Sequence, residues 1–275
     1  MAIGVRKLVH RALFGLGLAL LMGPTLFFFY WMISLSLKTD VENLAYPPVL
    51  LLSSLTLNNY AYVFANSSFV RFAINSMIVA VGSTGLSLVL GIPAAYGIAR
   101  SRRYGTALLI LVARMTPALS YLIPWFLLFQ QLGMANTYTA LILTHLIIGL
   151  PLVIWIMLGF FEGVSRELED AALIDGCSRF GGFLRIAMPL TRPGIMVSGI
   201  LAFIFSWNNF IFAVVLAGPR LQTLPVAVFS MMSFEQTNWG PLAAAALLIT
   251  APVLLLTLTV QRDIVAGLAA GGMKG

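Results

Sequence analysis

Six stretches of the sequence, residues 12–35, 72–99, 106–132, 138–161, 193–217 and 241–260, are each long and apolar enough to cross a bilayer. A hydrocarbon core of about 30 Å takes about 20 residues of helix. In lipid, runs of this length satisfy their backbone groups by coiling into helices, and the alternation of a membrane β-strand is absent. Composition leaves too little for a water-facing surface: 60% of the 275 residues are hydrophobic, 9% are charged, and mean hydropathy is +0.98. A soluble domain carries about 25% charged residues. The expected fold is an all-α integral membrane protein with six transmembrane helices.

Basic residues set its direction. With the N-terminus inside, Arg6, Lys7, Arg11, Arg100, Arg102, Arg103, Arg166, Arg179, Arg185, Arg192, Arg262 and Lys274 fall on one side, twelve of the sixteen Lys and Arg. Lys38, Arg71 and Arg220 fall on the other side, and Arg114 lies within a stretch. Such a bias marks the cytoplasmic face, so both termini are expected in the cytoplasm. The first apolar stretch is too long for the core of a signal peptide and reads as an uncleaved span. The net charge of +7 is therefore a topology signal; there is no basic stripe with interleaved aromatics to suit nucleic acid.

Several chemistries are excluded. The lone Cys177 can form no intrachain disulfide. His10 and His145 are too few and too far apart for a metal site or an acid–base pair. No Ser, Cys and His arrangement supports catalysis, and no G-x-x-x-x-G-K-[ST] loop is present to hydrolyse ATP. The chain is expected to be a non-enzyme that binds no cofactor of its own.

Two loops exceed simple connectors: 38–71 outside, with Tyr46-Pro47-Pro48 and Asn58-Asn59-Tyr60, and 162–192 inside. In the second, Ser165 reads as an N-cap, and Glu167, Glu169 and Asp170 fill the first helical turns, where the helix dipole favours acids. Gly176 suits the left-handed residue that ends a helix, where a side chain costs about 1–2 kcal/mol. Pro189 is expected to stop the second helix. The pattern predicts a helix, a glycine break and a shorter helix, which by spacing alone could be an ordinary surface hairpin.

The order of residues is more specific. Asp170-Ala171-Ala172, Gly176 four positions on, and Ile186-x-x-Pro189-Leu190 ten beyond it resemble the EAA loop of ABC importer permeases. Asp170 replaces the usual Glu and Met188 a common Leu. Asn59-Tyr60, Arg114-Met-x-Pro117, Ser206-Trp207-Asn208-Asn209-Phe210 and the terminal Gly-Met-Lys-Gly are similar to marks of the carbohydrate branch, in particular the smaller permease of maltose-type importers.

That resemblance implies the type I importer fold in a bacterial inner membrane. Residues 1–70 would form a tail, the first helix and an external loop, 71–262 the core permease domain containing the 162–192 coupling loop, and 263–275 a cytoplasmic tail. Glu169, Asp170, Ala171, Ala172, Asp175, Gly176, Phe180, Ile186 and Pro189 would engage an ATPase, which uses the ATP and Mg. Gly272, Lys274 and Gly275 would either fray or run along the ATPase interface. The implied partners are a second related permease, two ATPase subunits, an extracytoplasmic solute-binding protein and membrane lipid. The implied solute is a sugar, oligosaccharide, polyol or sugar derivative.

Polar residues inside the spans are the candidates for a translocation path. Arg114 would sit about 12 Å into its helix at 1.5 Å per residue, where an ionisable group is a functional candidate; the alternative is snorkelling to the interface. Tyr121, seven residues further along the same stretch, is a second candidate. Trp207, Asn208 and Asn209 are expected mid-helix, where each residue turns about 100° and at most two can face one cavity. They suit either sugar binding or hydrogen bonds between helices, as does Asn75. Pro93, Pro117, Pro124, Pro151 and Pro252 lie within spans and are expected to bend them. A self-contained secondary transporter or channel is the alternative function. It is disfavoured because all nine acids fall in loops or at span ends, leaving no intramembrane carboxylate relay.

Overall fold

A computed structural model describes residues 2–51, 54–65, 67–232 and 237–272, and no strand occurs among them. The principal helices are α1 (Ala2–Leu37), α2 (Asn58–Ala65), α3 (Ser67–Ser101), α4 (Tyr104–Met115), α5 (Ala118–Gln131) and α6 (Tyr138–Glu162). They are followed by α7 (Arg166–Ile174), α8 (Arg179–Leu190), α9 (Arg192–Trp207), α10 (Ile211–Leu216), α11 (Leu224–Ser230) and α12 (Trp239–Gly272). Four helices are individually long and apolar enough to span a membrane, His10–Leu37, Ser68–Ser101, Tyr138–Glu162 and Trp239–Thr259. Among the described residues the count reaches six if two bent helix pairs, Tyr104–Met115 with Leu119–Gln131 and Arg179–Leu190 with Arg192–Trp207, are each one span.

Two of the six expected spans are not single helices. The stretch 106–132 breaks at Thr116, which is extended at φ −65° and ψ 127°, because the ring of Pro117 disfavours helical backbone in the residue before it. Pro117 also has no N–H to give the carbonyl of Ala113. The Tyr121 hydroxyl donates to that carbonyl instead, at 2.7 Å. The stretch 193–217 breaks after Trp207. Asn209 Oδ1 accepts from the Phe212 N–H at 3.2 Å and so caps a new helix, the usual competition of a short amide with helical backbone. The other four prolines lie inside continuous helices.

The last helix continues beyond the span expected over 241–260. It runs through Gly272 with no end near residue 262. Nothing in 261–272 is a proline, and Gln, Arg, Leu and Ala are good helix formers.

The chain divides into two compact units, Met1–Ser67 with Val228–Thr250, and Ser68–Ala227 with Ala251–Gly275. In the first, Asn59 Nδ2 donates to the carbonyls of Ser36 and Lys38 at 2.9 and 2.8 Å, and the hydroxyls of Tyr60 and Ser36 are 3.0 Å apart. Asn59 therefore satisfies carbonyls left open where α1 ends, and Tyr60 meets a side-chain hydroxyl beside them. Lys38 is buried, its ammonium donating to the Val49 carbonyl beneath the Trp31 ring.

In the second unit, α3, α6, α8 and α9 share a core that includes Ile92, Ala95, Val153, Met157, Phe161, Phe183 and Ala202. A further cluster joins Val79, Phe129, Leu141, Phe212 and Leu216. Small residues set the approach of the helices: a Cβ on Gly149 would lie 2.5 Å from Ser87 Oγ. Between lipid-bathed helices such close packing replaces the hydrophobic drive available in water. Ser206 Oγ lies 2.8 Å from Ser83 Oγ and 2.7 Å from His145 Nδ1, joining α9, α3 and α6 by a buried polar chain.

Candidate functional site

The hairpin α7–α8 is built from local signals. The Ser165 hydroxyl accepts from the Glu167 N–H at 3.3 Å and starts α7. Gly176 ends it at φ +87°. Its N–H bonds to the Leu173 carbonyl at 3.1 Å and the Cys177 N–H to the Ala172 carbonyl at 2.9 Å, the paired bonds of a Schellman stop. Ser178 then caps α8 by accepting from the Gly181 N–H at 3.0 Å.

Pro189 does not stop α8. A π-helical turn at Phe183–Ala187 precedes it, and this wider winding relieves the clash between its ring and the carbonyl four residues back. The chain turns only at Thr191, whose hydroxyl donates to the Ala187 carbonyl at 2.9 Å. The axis bends there by 76° into α9.

The residues expected to engage an ATPase divide by exposure. Asp170, Ala171, Asp175, Gly176 and Pro189 are exposed, Ile186 is half-buried and Ala172 is buried. Phe180 is 69% exposed, and Ile174 at 87%, with Leu184 and Leu190, extends an apolar surface along the hairpin. Glu169 is turned inward. Its carboxylate accepts from the Tyr96 hydroxyl at 2.7 Å and from Arg100 Nε at 2.9 and 3.1 Å, and it pairs with Arg100 Nη2 as well.

Arg100 also donates through Nη1 to the Phe161 carbonyl at 3.1 Å, at the end of α6. Arg166 Nη2 reciprocates on α3, donating to the carbonyls of Ala99 and Arg100 at 3.2 and 3.0 Å. Each arginine thus satisfies the open carbonyls of another helix end. Together with Asp170, Leu173, Arg179 and Gly182, these side chains line a cavity of about 350 Å³. Sequence reasoning counted Arg100 and Arg166 only as topology signals and passed over Tyr96. The one local hint was Tyr96 and Arg100 four apart, on one helical face.

The path candidates separate as well. Arg114 and Tyr121 come together beside the α4–α5 break, lining a cavity of about 390 Å³ with Trp125, Leu146, Ile147 and Pro151. The Arg114 guanidinium lies 5.9 Å from the Phe205 ring centroid, and among the described residues no carboxylate pairs with it. The remaining candidates do not line this cavity. Trp207 is buried and stacked on Phe203 with centroids 5.6 Å apart. Asn208 and Asn209 stand at the helix break rather than mid-helix. Asn75, 1% exposed, gives both amide hydrogens to the carbonyls of Arg220 and Gln222 at 3.0 and 2.9 Å and accepts from the Tyr138 hydroxyl at 2.6 Å. Gly272 ends α12, while Lys274 and Gly275 lie outside the described residues.

A helical chain with several membrane-length apolar helices and an EAA-type hairpin is the make-up of an importer's membrane subunit. Residues 87–268 match the family of binding-protein-dependent transport system inner membrane components, and the chain belongs to that family. It is a permease subunit of a solute-binding-protein-dependent ABC importer, a multi-pass inner-membrane protein that is not itself catalytic.

The chain is 35% identical to the sulfoquinovosyl glycerol transport system permease protein of Agrobacterium fabrum, covering 89% of this chain and 87% of that one. It is 34% identical to the trehalose transport system permease protein of Mycobacterium tuberculosis, over 99% and 100% of the two chains. With the trehalose/maltose transport system permease protein of Thermococcus litoralis the identity is 33%, over 98% and 99%. The fold is shared with a chain of a bacterial ABC transporter involved in the import of the acidic polysaccharide alginate, at a TM-score of 0.77 and 20% identity, over 95% and 97% of the two.

Proposed function

We propose that this permease moves a sugar, oligosaccharide, polyol or sugar derivative into the cytoplasm, with an ATPase docked on the α7–α8 hairpin. The observation that carries the reading is the hairpin itself. A glycine at positive φ sets two short helices that present Ile174, Phe180, Leu184 and Leu190, an apolar surface of the kind a partner covers. Asp170, Ala171, Ala172, Asp175, Gly176, Phe180, Ile186 and Pro189 form or shape that surface, and Glu169 holds it from beneath. The substrate class is supported by relatives named for the transport of trehalose, maltose, diacetylchitobiose and sulfoquinovosyl glycerol.

The finer architecture follows the same reading. Residues 106–132 and 193–217 each complete one span across their breaks, giving six, and the positive-inside bias puts both termini and the hairpin in the cytoplasm. Residues 71–262 form the permease core between the N-terminal span with its external loop and the C-terminal 263–275. The most apolar window of the first helix has none of its residues buried inside the chain, leaving that surface to lipid or a second permease. Two ATPase subunits use ATP and Mg, and a solute-binding protein docks on the external side. Arg114 and Tyr121 line the translocation path.

The test is purification of the tagged chain in gentle detergent from its own host, with each co-purifying subunit identified. An ATPase, a second permease and a solute-binding protein are expected. Recovery of this chain alone, still moving solute in ATP-free vesicles, would overturn the reading. Gly176→Val then examines the hairpin within the complex: assembly should persist while hydrolysis is uncoupled from uptake, and wild-type uptake would remove the hairpin's part in coupling.

A further inference from the structure

Two of the spanning helices are joined to the α7–α8 hairpin by backbone. Residues 163–165 connect α6 to α7, and Thr191 connects α8 to α9. Helix α3 has no such connection and meets the hairpin through side chains. The Glu169 carboxylate of α7 is held by Tyr96 and Arg100 of α3, and Phe183 of α8 lies against the Tyr96 ring with centroids 4.7 Å apart. Displacing either helix of the hairpin therefore loads the end of α3.

At its other end α3 is tied again. Asn75 holds the carbonyls of Arg220 and Gln222, and Ser76 Oγ accepts from the Leu224 N–H at 2.8 Å. Asn75 and Arg100 stand about 37 Å apart along one helix at 1.5 Å per residue. The two attachments differ as their surroundings require. The ion pair is partly exposed, its side chains 17% and 12% accessible, so it can be strained and reformed at modest cost. The amide is buried and neutral, which avoids placing a charge among apolar helices.

We propose that α3 is the mechanical link that carries movement of the docked hairpin to the 220–224 turn, with Glu169 and Asn75 as positioning residues at its two ends. This rests on the hairpin being the ATPase dock. A shift imposed on α7 by ATPase closure reaches the opposite end of the unit through the rod, in addition to whatever passes along the backbone into α6 and α9. The physical warrant for such coupling is an element with two arrangements whose balance both sites bias.

The experiment uses the whole importer with its co-purified ATPase, in vesicles. Cys177→Ser removes the native thiol and Arg220→Cys places one on the turn, where the side chain is exposed. Labelling of that thiol by a membrane-impermeant maleimide is followed without nucleotide and with Mg-ATP plus vanadate, and ATP hydrolysis is measured alongside. Nucleotide should change the labelling rate about fivefold in the wild-type background, a low-end coupling factor. In complexes that retain their ATPase, Glu169→Gln should flatten that response, and Asn75→Ser should do the same with Glu169 intact. Tyr96→Phe keeps the ring and loses one hydrogen bond, so it should roughly halve the response on a logarithmic scale. A full wild-type response in Glu169→Gln, or in Tyr96→Phe should the first variant fail to assemble, overturns the inference alone. Absence of a bound ATPase in the wild-type complex overturns the docking reading and the inference with it.

Discussion

Asn75 and Arg114 are both polar residues of the apolar spans, and their surroundings in the second unit are opposite. Around Asn75 every hydrogen-bonding group is used: two carbonyls take its amide hydrogens and a tyrosine hydroxyl donates to its oxygen. Around Arg114 there is a cavity, a broken helix pair and an aromatic ring, with no carboxylate among the described residues. A satisfied amide fixes a fold, because removing it strands its partners. An unpaired guanidinium facing open space leaves five donors for something that comes and goes. Polarity within a span therefore says less than whether the local hydrogen bonds close.

The largest effect that can break this contrast is on the Asn75 side. Asn75→Leu leaves two buried carbonyls and one hydroxyl without their partner, and at about 1 kcal/mol or more for each the loss should be about 3 kcal/mol. It should appear as a lowered melting temperature of the detergent-solubilised complex and as reduced abundance in the membrane. Full thermal stability with reduced uptake, at a constant number of solute molecules moved per ATP, would place Asn75 on the path instead.

Arg114→Ala is expected to do the reverse at a smaller scale. Folding should be little changed, since the side chain makes one ring contact at 5.9 Å, while uptake per assembled complex should fall about tenfold, the equivalent of ~1.4 kcal/mol in a barrier. The number of solute molecules moved per ATP should stay constant, which separates a path residue from a coupling residue. Wild-type uptake in a stable complex would favour a guanidinium that snorkels to the interface.

What was legible in the sequence follows from range. The hairpin was readable because its determinants are neighbours: Ser165 caps the N–H two residues on, and Gly176 bonds to Leu173 and turns the Cys177 N–H onto Ala172. The apolar stretches were readable because bilayer thickness sets their length. Pro189 misled because a proline's cost depends on the winding before it, and a π-turn was already there. Asn208 and Asn209 looked like mid-span amides because hydropathy averages over a break. The Arg100–Glu169 clamp joins residues 69 positions apart, and nothing in either neighbourhood points to the other. Asn75 needed Arg220 and Gln222, 145 and 147 positions away, before its role was decided.

The smallest effect expected is at Tyr121, which belongs to both sides of the contrast: it lines the Arg114 cavity and also donates to the Ala113 carbonyl, which accepts from the Thr116 N–H but lacks the donor that Pro117 cannot supply. Tyr121→Phe keeps the ring and removes that one bond, costing about 1 kcal/mol of stability if the hydroxyl acts on the backbone. Uptake per assembled complex would then be unchanged. Pro117→Ala in the same background restores an N–H that can reach the Ala113 carbonyl, so the stability cost of the tyrosine change should shrink in the double variant, a coupling readable as a double-mutant cycle. A loss of uptake in Tyr121→Phe that Pro117→Ala does not relieve would move the hydroxyl from the helix break to the solute, and Tyr121 would then stand with Arg114 as a residue left open for what passes through.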